Sequence, residues 1–427
     1  MNIRARSYML TLCLLAAVSI ATAHSYAEER NLKVGGYFKS FFTAIDPPSY
    51  SDDPVPSDEP LGGTVLNRLR LKLFWQALDF ASAEFAYELL PRVQETNRSF
   101  SHASLPRPAP LSYRAFDVRA RIYPAPGSPQ NAFELAHNLD RAFITLSMPF
   151  ADIYIGRQPI AFGSARVVNP TDVIAPFTYE ELDKEERVGV DALRIKLPVG
   201  VMSELDGGLV FGDDFEIKKS AAFLRAKLYL LETDFSLMTM VFKENLLLGV
   251  DLARSVGGAG YWLEAAYTLA GATGDYTSEG NYLRLSSGFD YHFAYGVYGF
   301  IECHVNGAGE SKPENYLKSL AEIAYTEGAV YLMGDHYLAP GFTYEVTPLL
   351  VFSAQTLANI RDGSAFVSPK LEYSFAEDVF IEAGAFFSLG RRARSVFDET
   401  TGLLEMEPRS EFGLYPNIYF TSVRLYF

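Results

Sequence analysis

The sequence predicts an all-β fold: a transmembrane antiparallel up-and-down β-barrel of about 18 strands, with short periplasmic turns and long extracellular loops. Three observations support it. Apolar and polar residues alternate with period two along most of the chain, and short and long connections succeed each other. Beyond residue 27, no apolar run reaches the roughly 18 residues of a spanning helix. A disordered chain is excluded, because 48% of the residues are hydrophobic and only 21% are charged.

Residues 1–27 are predicted to be a cleaved secretory signal peptide, which leaves residues 28–427 as a single barrel domain. Two arginines supply its positive start, residues 9–20 its apolar centre, and Ala27 a small residue at the cleavage site. Export followed by barrel formation predicts localisation in the outer membrane. Only Cys303 would remain in the mature chain, so neither a disulfide nor a thiolate zinc site is expected.

The membrane strands are predicted from segments in which apolar side chains share one face and polar side chains the other. In residues 68–76, three leucines and Trp75 alternate with Arg68, Arg70 and Lys72. The same pattern occurs at 82–89, 193–197, 224–230, 283–292 and 297–306. The alternating segments run to about 9 to 13 residues, the length of a tilted membrane strand, whereas strands of soluble sandwiches usually have 5 or 6.

The connections between these segments fall into two classes. Short turns are predicted at 78–79, 149–151, 198–200, 232–234, 294–296, 347–348 and 376–378. Longer polar loops are predicted at 43–63, 161–188, 270–280, 307–330 and 391–414. Because each short turn must follow a strand that runs toward the periplasm, counting from residues 32–42 yields about 18 strands. The last of them, residues 415–427, is expected to close the barrel beside the first.

Two segments do not read as membrane strands. Residues 113–123 alternate, but a spanning strand there would put the turn at Pro149 on the extracellular side, so we predict a hairpin above the membrane within the second loop. Residues 311–328 have helical periodicity, with Ser311 and Glu314 as a capping box. This helix is expected either to lie over the mouth as a partial lid or to pack on the rim.

The chain ends on a phenylalanine at the close of an alternating strand. Tyr419, Thr421, Val423, Leu425 and Phe427 share one face of that strand. This ending resembles the C-terminal signature by which the barrel-assembly machinery of the outer membrane recognises its substrates. We therefore predict that Phe427 is an assembly signal, and we expect that machinery, the lipid bilayer and lipopolysaccharide as partners.

Charged residues on the strands are predicted to face the lumen, because the outward face must be apolar in lipid. The basic positions, on strands of the N-terminal half, are Arg68, Arg70, Lys72, Arg141, Arg194, Lys196, Arg225 and Lys227. The acidic positions, on strands of the C-terminal half, are Glu264, Asp290, Glu302, Glu345, Glu372 and Glu382; Glu84, Glu88, Glu204 and Asp206 are acidic exceptions on strands of the N-terminal half. Two opposed pore-lining walls, a basic wall and an acidic wall, would create a transverse field that selects polar solutes. The alternative is that the two signs only neutralise each other.

Carboxylates are also frequent in the loops. The first loop has Asp46, Asp52, Asp53, Asp58 and Glu59, and the third has Asp172, Glu180, Glu181, Asp183, Glu185 and Glu186. Their spacing matches no calcium-binding loop, so we predict no metal site and interpret them as solvated surface. The formal net charge of -15 also argues against nucleic acid as a partner.

One region carries a family resemblance. The stretches 156–163, 169–172, 176–177, 181–183 and 187–191 resemble a pattern shared by porin-like proteins of Gram-negative outer membranes, alginate-export barrels among them. The resemblance implies a porin-like barrel. Its most characteristic positions are Arg157, Gln158, Asn169, Pro170 and Asp172. They are predicted to form a loop motif that constricts the pore; the alternative is a loop that only braces the barrel mouth.

The sequence contains no catalytic pattern that we can defend. The histidines show no triad or metal spacing, and there is no haem-attachment motif or glycine-rich phosphate loop, so we expect neither an enzyme nor a cofactor. The predicted function is a porin for passive diffusion of small hydrophilic solutes, anionic ones included. The alternative is a scaffold barrel that sheathes a periplasmic partner, such as an electron-transfer cytochrome, or the exit duct of a polysaccharide export system.

Overall fold

The computed structural model describes residues 31–48, 61–95, 113–116, 118, 120–129, 131–274, 280–398 and 403–427. The predicted signal peptide and most of the acidic first loop lie outside these residues. Within them the chain forms 21 strands. They are β1 (Leu32–Asp46), β2 (Gly62–Leu78), β3 (Ala81–Gln94), β4 (Ala120–Tyr123), β5 (Phe133–Met148), β6 (Ala151–Pro159), β7 (Gly189–Pro198), β8 (Glu204–Val210), β9 (Ala221–Leu230), β10 (Thr233–Phe242), β11 (Asn245–Val256), β12 (Ala259–Leu269), β13 (Tyr282–Phe293), β14 (Val297–Asn306), β15 (His336–Thr347), β16 (Leu350–Asn359), β17 (Ser364–Ala376), β18 (Val379–Leu389), β19 (Arg394–Asp398), β20 (Leu403–Glu407) and β21 (Asn417–Tyr426).

Eighteen of these strands form one closed antiparallel ring. Neighbours in the chain are neighbours in the sheet, except that β3 pairs with β5, and β21 pairs with both β18 and β1. The closing seam runs from the pair Tyr37 and Tyr426 to the pair Asp46 and Asn417. Closure satisfies the backbone groups that an open sheet would expose to lipid. The predicted 18-stranded up-and-down barrel is therefore confirmed. Among the described residues, no helix is long and apolar enough to cross a membrane.

Connections differ in length between the two ends of the barrel. At the end that we call the turn end, the connections are 79–80, 149–150, 199–203, 231–232, 257–258, 294–296, 348–349 and 377–378. At the opposite, loop end, they include 47–61, 95–132, 160–188, 270–281, 307–335 and 390–416. The predicted segregation is confirmed, although the loop end also has short links at 243–244 and 360–363. Gly257 and Gly258, a turn that the sequence reading missed, have φ of 59° and 83°, as a two-residue hairpin turn requires.

One local prediction is confirmed in part, and another needs correction. Residues 113–123 belong to the second loop and are not a spanning strand, and β4 pairs with β5 as an antiparallel hairpin, but Tyr113 and Ala115 are buried inside the barrel. The Asp191 carboxylate accepts the Ala115 amide at 2.9 Å and holds this part of the segment inside. The predicted helix at 311–328 is broken into a 3₁₀ turn and two four-residue helices, α1 (Tyr316–Ser319) and α2 (Ile323–Thr326).

Alternation places apolar side chains outside and charged ones inside. On the outer face Trp75, Ile144 and Leu248 are about half exposed, whereas Arg70 and Glu264 on the inner face are buried. A hydrophobic core fills much of the lumen at the loop end. One cluster packs the third loop (residues 160–188) against β10 and β11, and another packs it against the 307–335 loop and β15–β18. Loops folded into the barrel therefore leave only part of its bore open.

The last residue belongs to the closing seam. Phe427 accepts the Gly36 amide at 2.8 Å and donates its own amide to the Gly36 carbonyl at 3.0 Å. We expect deletion of Phe427, or Phe427→Asp, to lower the amount of barrel assembled in the outer membrane. The measurement is the heat-modifiable, protease-resistant protein in outer-membrane fractions. Phe150→Asp, at an exposed phenylalanine on a turn, is the matched control and should assemble like the wild type. Equal assembly of the Phe427 variants would contradict the role as a signal.

Candidate functional site

The third loop enters the barrel directly after β6. Its first residues, Ile160 and Phe162, are buried in the core, and the backbone then turns at Gly163 with φ of 91°. The Cβ of any side chain at Gly163 would collide with the carboxylate of Glu264. Glycine is therefore required here both for the backbone conformation and for the close approach to the wall.

Two carboxylates of the predicted acidic wall hold the first part of the third loop. Glu264 accepts the Thr171 amide at 2.8 Å and the Thr171 hydroxyl at 2.7 Å, and it also accepts the Ala165 amide and the Asn169 side chain. Glu302 accepts the amides of Arg166 at 2.7 Å and Val168 at 3.0 Å, and the Trp262 indole at 2.9 Å. These carboxylates anchor the loop through the charge-assisted hydrogen bonds that they accept from it.

The other predicted acidic positions have different surroundings. Asp290 pairs with Arg166 of the third loop at 2.8 Å and accepts the Tyr298 hydroxyl at 2.9 Å. Glu382 is buried and pairs with Lys370 at 3.1 Å, and Glu372 pairs with Arg424. Glu345 is exposed. The acidic positions therefore bond to the third loop or to cations on neighbouring strands, apart from Glu345.

The second part of the third loop crosses to the basic wall. We call residues 181–186 the acidic strap. Asp183 lies 2.9 Å from both Lys39 and Arg68, and Glu185 lies 2.5 Å from Lys39. Glu186 pairs with Lys72 and lies 3.6 Å from Arg141. The predicted solvated surface at this loop is therefore wrong: these carboxylates are inside the barrel, because strand cations offer them partners there.

Arg70 is the most enclosed cation of the basic wall. Its guanidinium lies 2.8 Å from Glu88 and 2.6 Å from Asp140, and its side chain is 1% exposed. Asp140 also pairs with Arg141 at 2.6 Å, and Glu88 accepts the Asn138 amide at 2.7 Å. Each buried charge in this group is thus compensated, as charges removed from water must be.

The remaining basic residues contact polar or acidic side chains on neighbouring strands. Arg194 holds Asp206 with two parallel bonds of 2.8 and 2.5 Å. Other contacts join Lys196 to Glu204 at 3.7 Å, Lys227 to Asp234 at 3.3 Å, and Arg225 to the Ser236 hydroxyl at 3.2 Å. Within the described part of the chain, seven of the eight predicted basic residues have a carboxylate within 4.0 Å. These carboxylates lie on the same or neighbouring strands or on the third loop, and sequence periodicity alone does not assign such partners.

The predicted constriction motif lies at the base of the third loop. Arg157 holds both oxygens of Asp191 at 2.8 Å, and Gln158 donates to the Ala192 carbonyl at 3.2 Å. The Asn169 side-chain amide donates to the Glu264 carboxylate at 3.1 Å. Pro170 and Asp172 are buried. Burial raises the pKa of Asp172 to about 6, although Arg187 is 2.9 Å away. These contacts position the loop.

Two cavities remain open inside the barrel. The mouth cavity, about 660 Å³, lies along the loop ends of β1–β3 and β5. The inner cavity, about 350 Å³, lies along β15–β18 and β21 and has Thr343, Ser353, Ser368 and Lys370 in its wall. Four residues line both cavities: Phe41, Glu181, Leu182 and Asp183. We call these four residues the neck.

Three of the four neck residues, 181–183, fall in a stretch that carries the family resemblance, but the sequence did not predict that they line a cavity. The charge-rich run at residues 181–187 falls in a loop next to basic strands in the folded barrel. Burial raises the pKa of Glu181. Burial would also raise the pKa of Asp183, but Arg68 and Lys39 outweigh it and hold that pKa below its usual range. No group of three or more potential metal ligands is found in the described residues.

The fold is similar to that of solved outer-membrane proteins. No family model matches the chain, and no curated protein matches it. The outer membrane protein OpdK of Pseudomonas aeruginosa is similar, with TM-score 0.53 and 9% identity over 93% of this chain and 98% of that one. OccAB2 of Acinetobacter baumannii has TM-score 0.54 and 8% identity over 93% and 98%. A structure of OpdK with vanillate has TM-score 0.50 and 8% identity over 92% and 98%.

At such identities the likeness shows the fold alone. The chain has the barrel fold of these outer-membrane proteins, which supports the porin-like class that the sequence resemblance implied. These structures are not alginate-export barrels, so that narrower relationship finds no support in them.

Proposed function

We propose that this chain is an outer-membrane channel through which small hydrophilic solutes diffuse passively. The observation that carries the proposal is the neck: a closed barrel holds two neighbouring cavities, and four residues of β1 and the third loop line both of them. A route of this kind needs no chemistry from the protein. The apolar outer face is suited to the lipid bilayer, with lipopolysaccharide and the assembly machinery as further expected partners.

Anionic solutes are part of this proposal. Lys184 and Lys370 line the inner cavity. Cations in a confined lumen attract carboxylates more strongly than the same cations in open water. OpdK, a barrel of the same fold, has been solved with vanillate, itself a small carboxylate. Small carboxylates are therefore one solute class to test.

The scaffold alternative finds less support. A sheath for a cytochrome needs a bore that admits a folded domain, and an export duct needs a continuous bore for a polymer. Here the third loop and the 307–335 loop pack against each other and against the inner wall in a hydrophobic core. The cavities of about 660 and 350 Å³ are of the size of small-molecule sites.

Single-channel recording in planar bilayers tests the proposal. The purified wild type should produce discrete conductance steps, and Leu182→Trp should reduce the step size, because the larger side chain narrows the neck. Leu248→Trp is the matched control, since Leu248 is about half exposed on the outer face and should leave the steps unchanged. A folded wild-type barrel without conductance, or equal steps in both variants, would contradict a route through the neck.

A further inference from the structure

The acidic strap is placed where a carboxylate solute would otherwise meet the basic wall. Three of its side chains, Asp183, Glu185 and Glu186, reach Lys39, Arg68 and Lys72, and one of them also approaches Arg141. Those cations belong to three different strands. The loop therefore supplies, from within the same chain, a row of counter-ions to cations that point into the lumen.

We propose that the acidic strap is the charge-selectivity element of this channel: Asp183, Glu185 and Glu186 act as built-in counter-ions that keep anionic solutes off the basic wall. The inference rests on the proposed channel function and adds the residues that set its ion preference. It also accounts for the neck, because Asp183 both pairs with the wall and lines the passage.

The cation and the carboxylates of the strap have partners in different places. Lys184 lies between Asp183 and Glu185, and its ammonium turns away from the wall to the Tyr179 carbonyl at 3.2 Å. Lys184 lines the inner cavity, together with Thr343, Ser353 and Gln355. The carboxylates thus neutralise the wall, while one cation of the strap remains beside the passage.

Two of the strap carboxylates, Asp183 and Glu185, are held in their charged form. Burial opposes ionisation of Asp183 and Glu185, but Lys39, together with Arg68 for Asp183 and the Tyr426 hydroxyl for Glu185, lowers the pKa of both. Asp183 and Glu185 are therefore charged at neutral pH. Their counter-charge is lost only when the residues themselves are replaced or when the loop moves.

The test is the reversal potential of the channel in a salt gradient, recorded for Asp183→Asn/Glu185→Gln/Glu186→Gln. We expect a severalfold rise in the ratio of chloride to potassium permeability, because the cations of the basic wall lose their internal partners. The shift should be larger at 0.1 M than at 1 M salt, since the screening length falls from about 10 Å to about 3 Å.

The matched control removes the same three charges from the rim. Asp213, Asp214 and Glu216 are exposed on the loop between β8 and β9, so Asp213→Asn/Asp214→Asn/Glu216→Gln should keep the wild-type reversal potential. Equal shifts in both triple variants would show a net-charge effect and overturn the proposal. If the strap triple does not fold, Glu185→Gln alone, at a partly exposed position, must still shift the reversal potential toward anions.

The outcomes separate the two proposals. A wild-type barrel that does not conduct overturns the channel function and the strap inference with it. A wild type that conducts, with unchanged ion preference in the strap variants, leaves the channel function standing and overturns only the strap.

Discussion

Replacing both Glu264 and Glu302 by alanine is expected to raise the single-channel conductance severalfold. These two carboxylates accept the backbone and side-chain donors of residues 165–171, so they hold the first part of the third loop against β12 and β14. Hydrogen bonds to a charged group contribute about 1.5–3 kcal/mol each. Losing several of them should release the loop from the wall and widen the passage that the neck now limits.

The control for this prediction is Glu345→Ala. Glu345 is an exposed carboxylate among the same set of predicted acidic positions, on β15, and its loss changes the charge of the lumen without removing a loop contact described above. It should leave the step size near that of the wild type. Heat-modifiability of both variants reports whether the barrel is intact. An intact double variant with wild-type conductance would show that the loop is held by its hydrophobic packing alone.

Arg70→Met is expected to destabilise the folded barrel by about 3 kcal/mol. The substitution leaves Glu88 and Asp140 buried without the guanidinium that bonds both of them. Breaking a buried ion pair on one side usually costs about 3–5 kcal/mol, because the remaining charge stays out of water without compensation. The lower end applies here, since Asn138 still donates to Glu88 and Arg141 still pairs with Asp140.

Urea unfolding of the detergent-folded barrel, followed by the fluorescence of its two tryptophans, provides the measurement. Lys72→Met on the same strand is the matched control. Lys72 is 39% exposed, and such partly exposed pairs contribute less than about 1 kcal/mol. If both variants unfold at the same urea concentration, the Arg70 cluster does not stabilise the fold in the way that its burial implies.

Much of the barrel was predictable because its determinants are local. The alternation of Leu73 and Trp75 with Lys72 reports which side of one strand meets lipid, and it needs no knowledge of the neighbouring strands. The turn lengths then set the direction of each strand, so the number of strands follows by counting. The burial of Tyr113 and Ala115 inside the barrel was not predicted, because it involves a contact with Asp191, which is distant in sequence.

The sequence alone therefore determined the barrel, its strand count and the inward direction of its charges. In a strand with a two-residue period, the apolar face must meet the lipid, so the charged face must point into the lumen. Only the tertiary structure decided which charges meet. Glu264 and Glu302 select one part of the third loop, and Lys39 and Arg68 select another, from residues more than 90 positions away in the chain. Such long-range pairs depend on how the ring of strands brings its inner faces together. Local periodicity cannot predict which distant residues become neighbours in space.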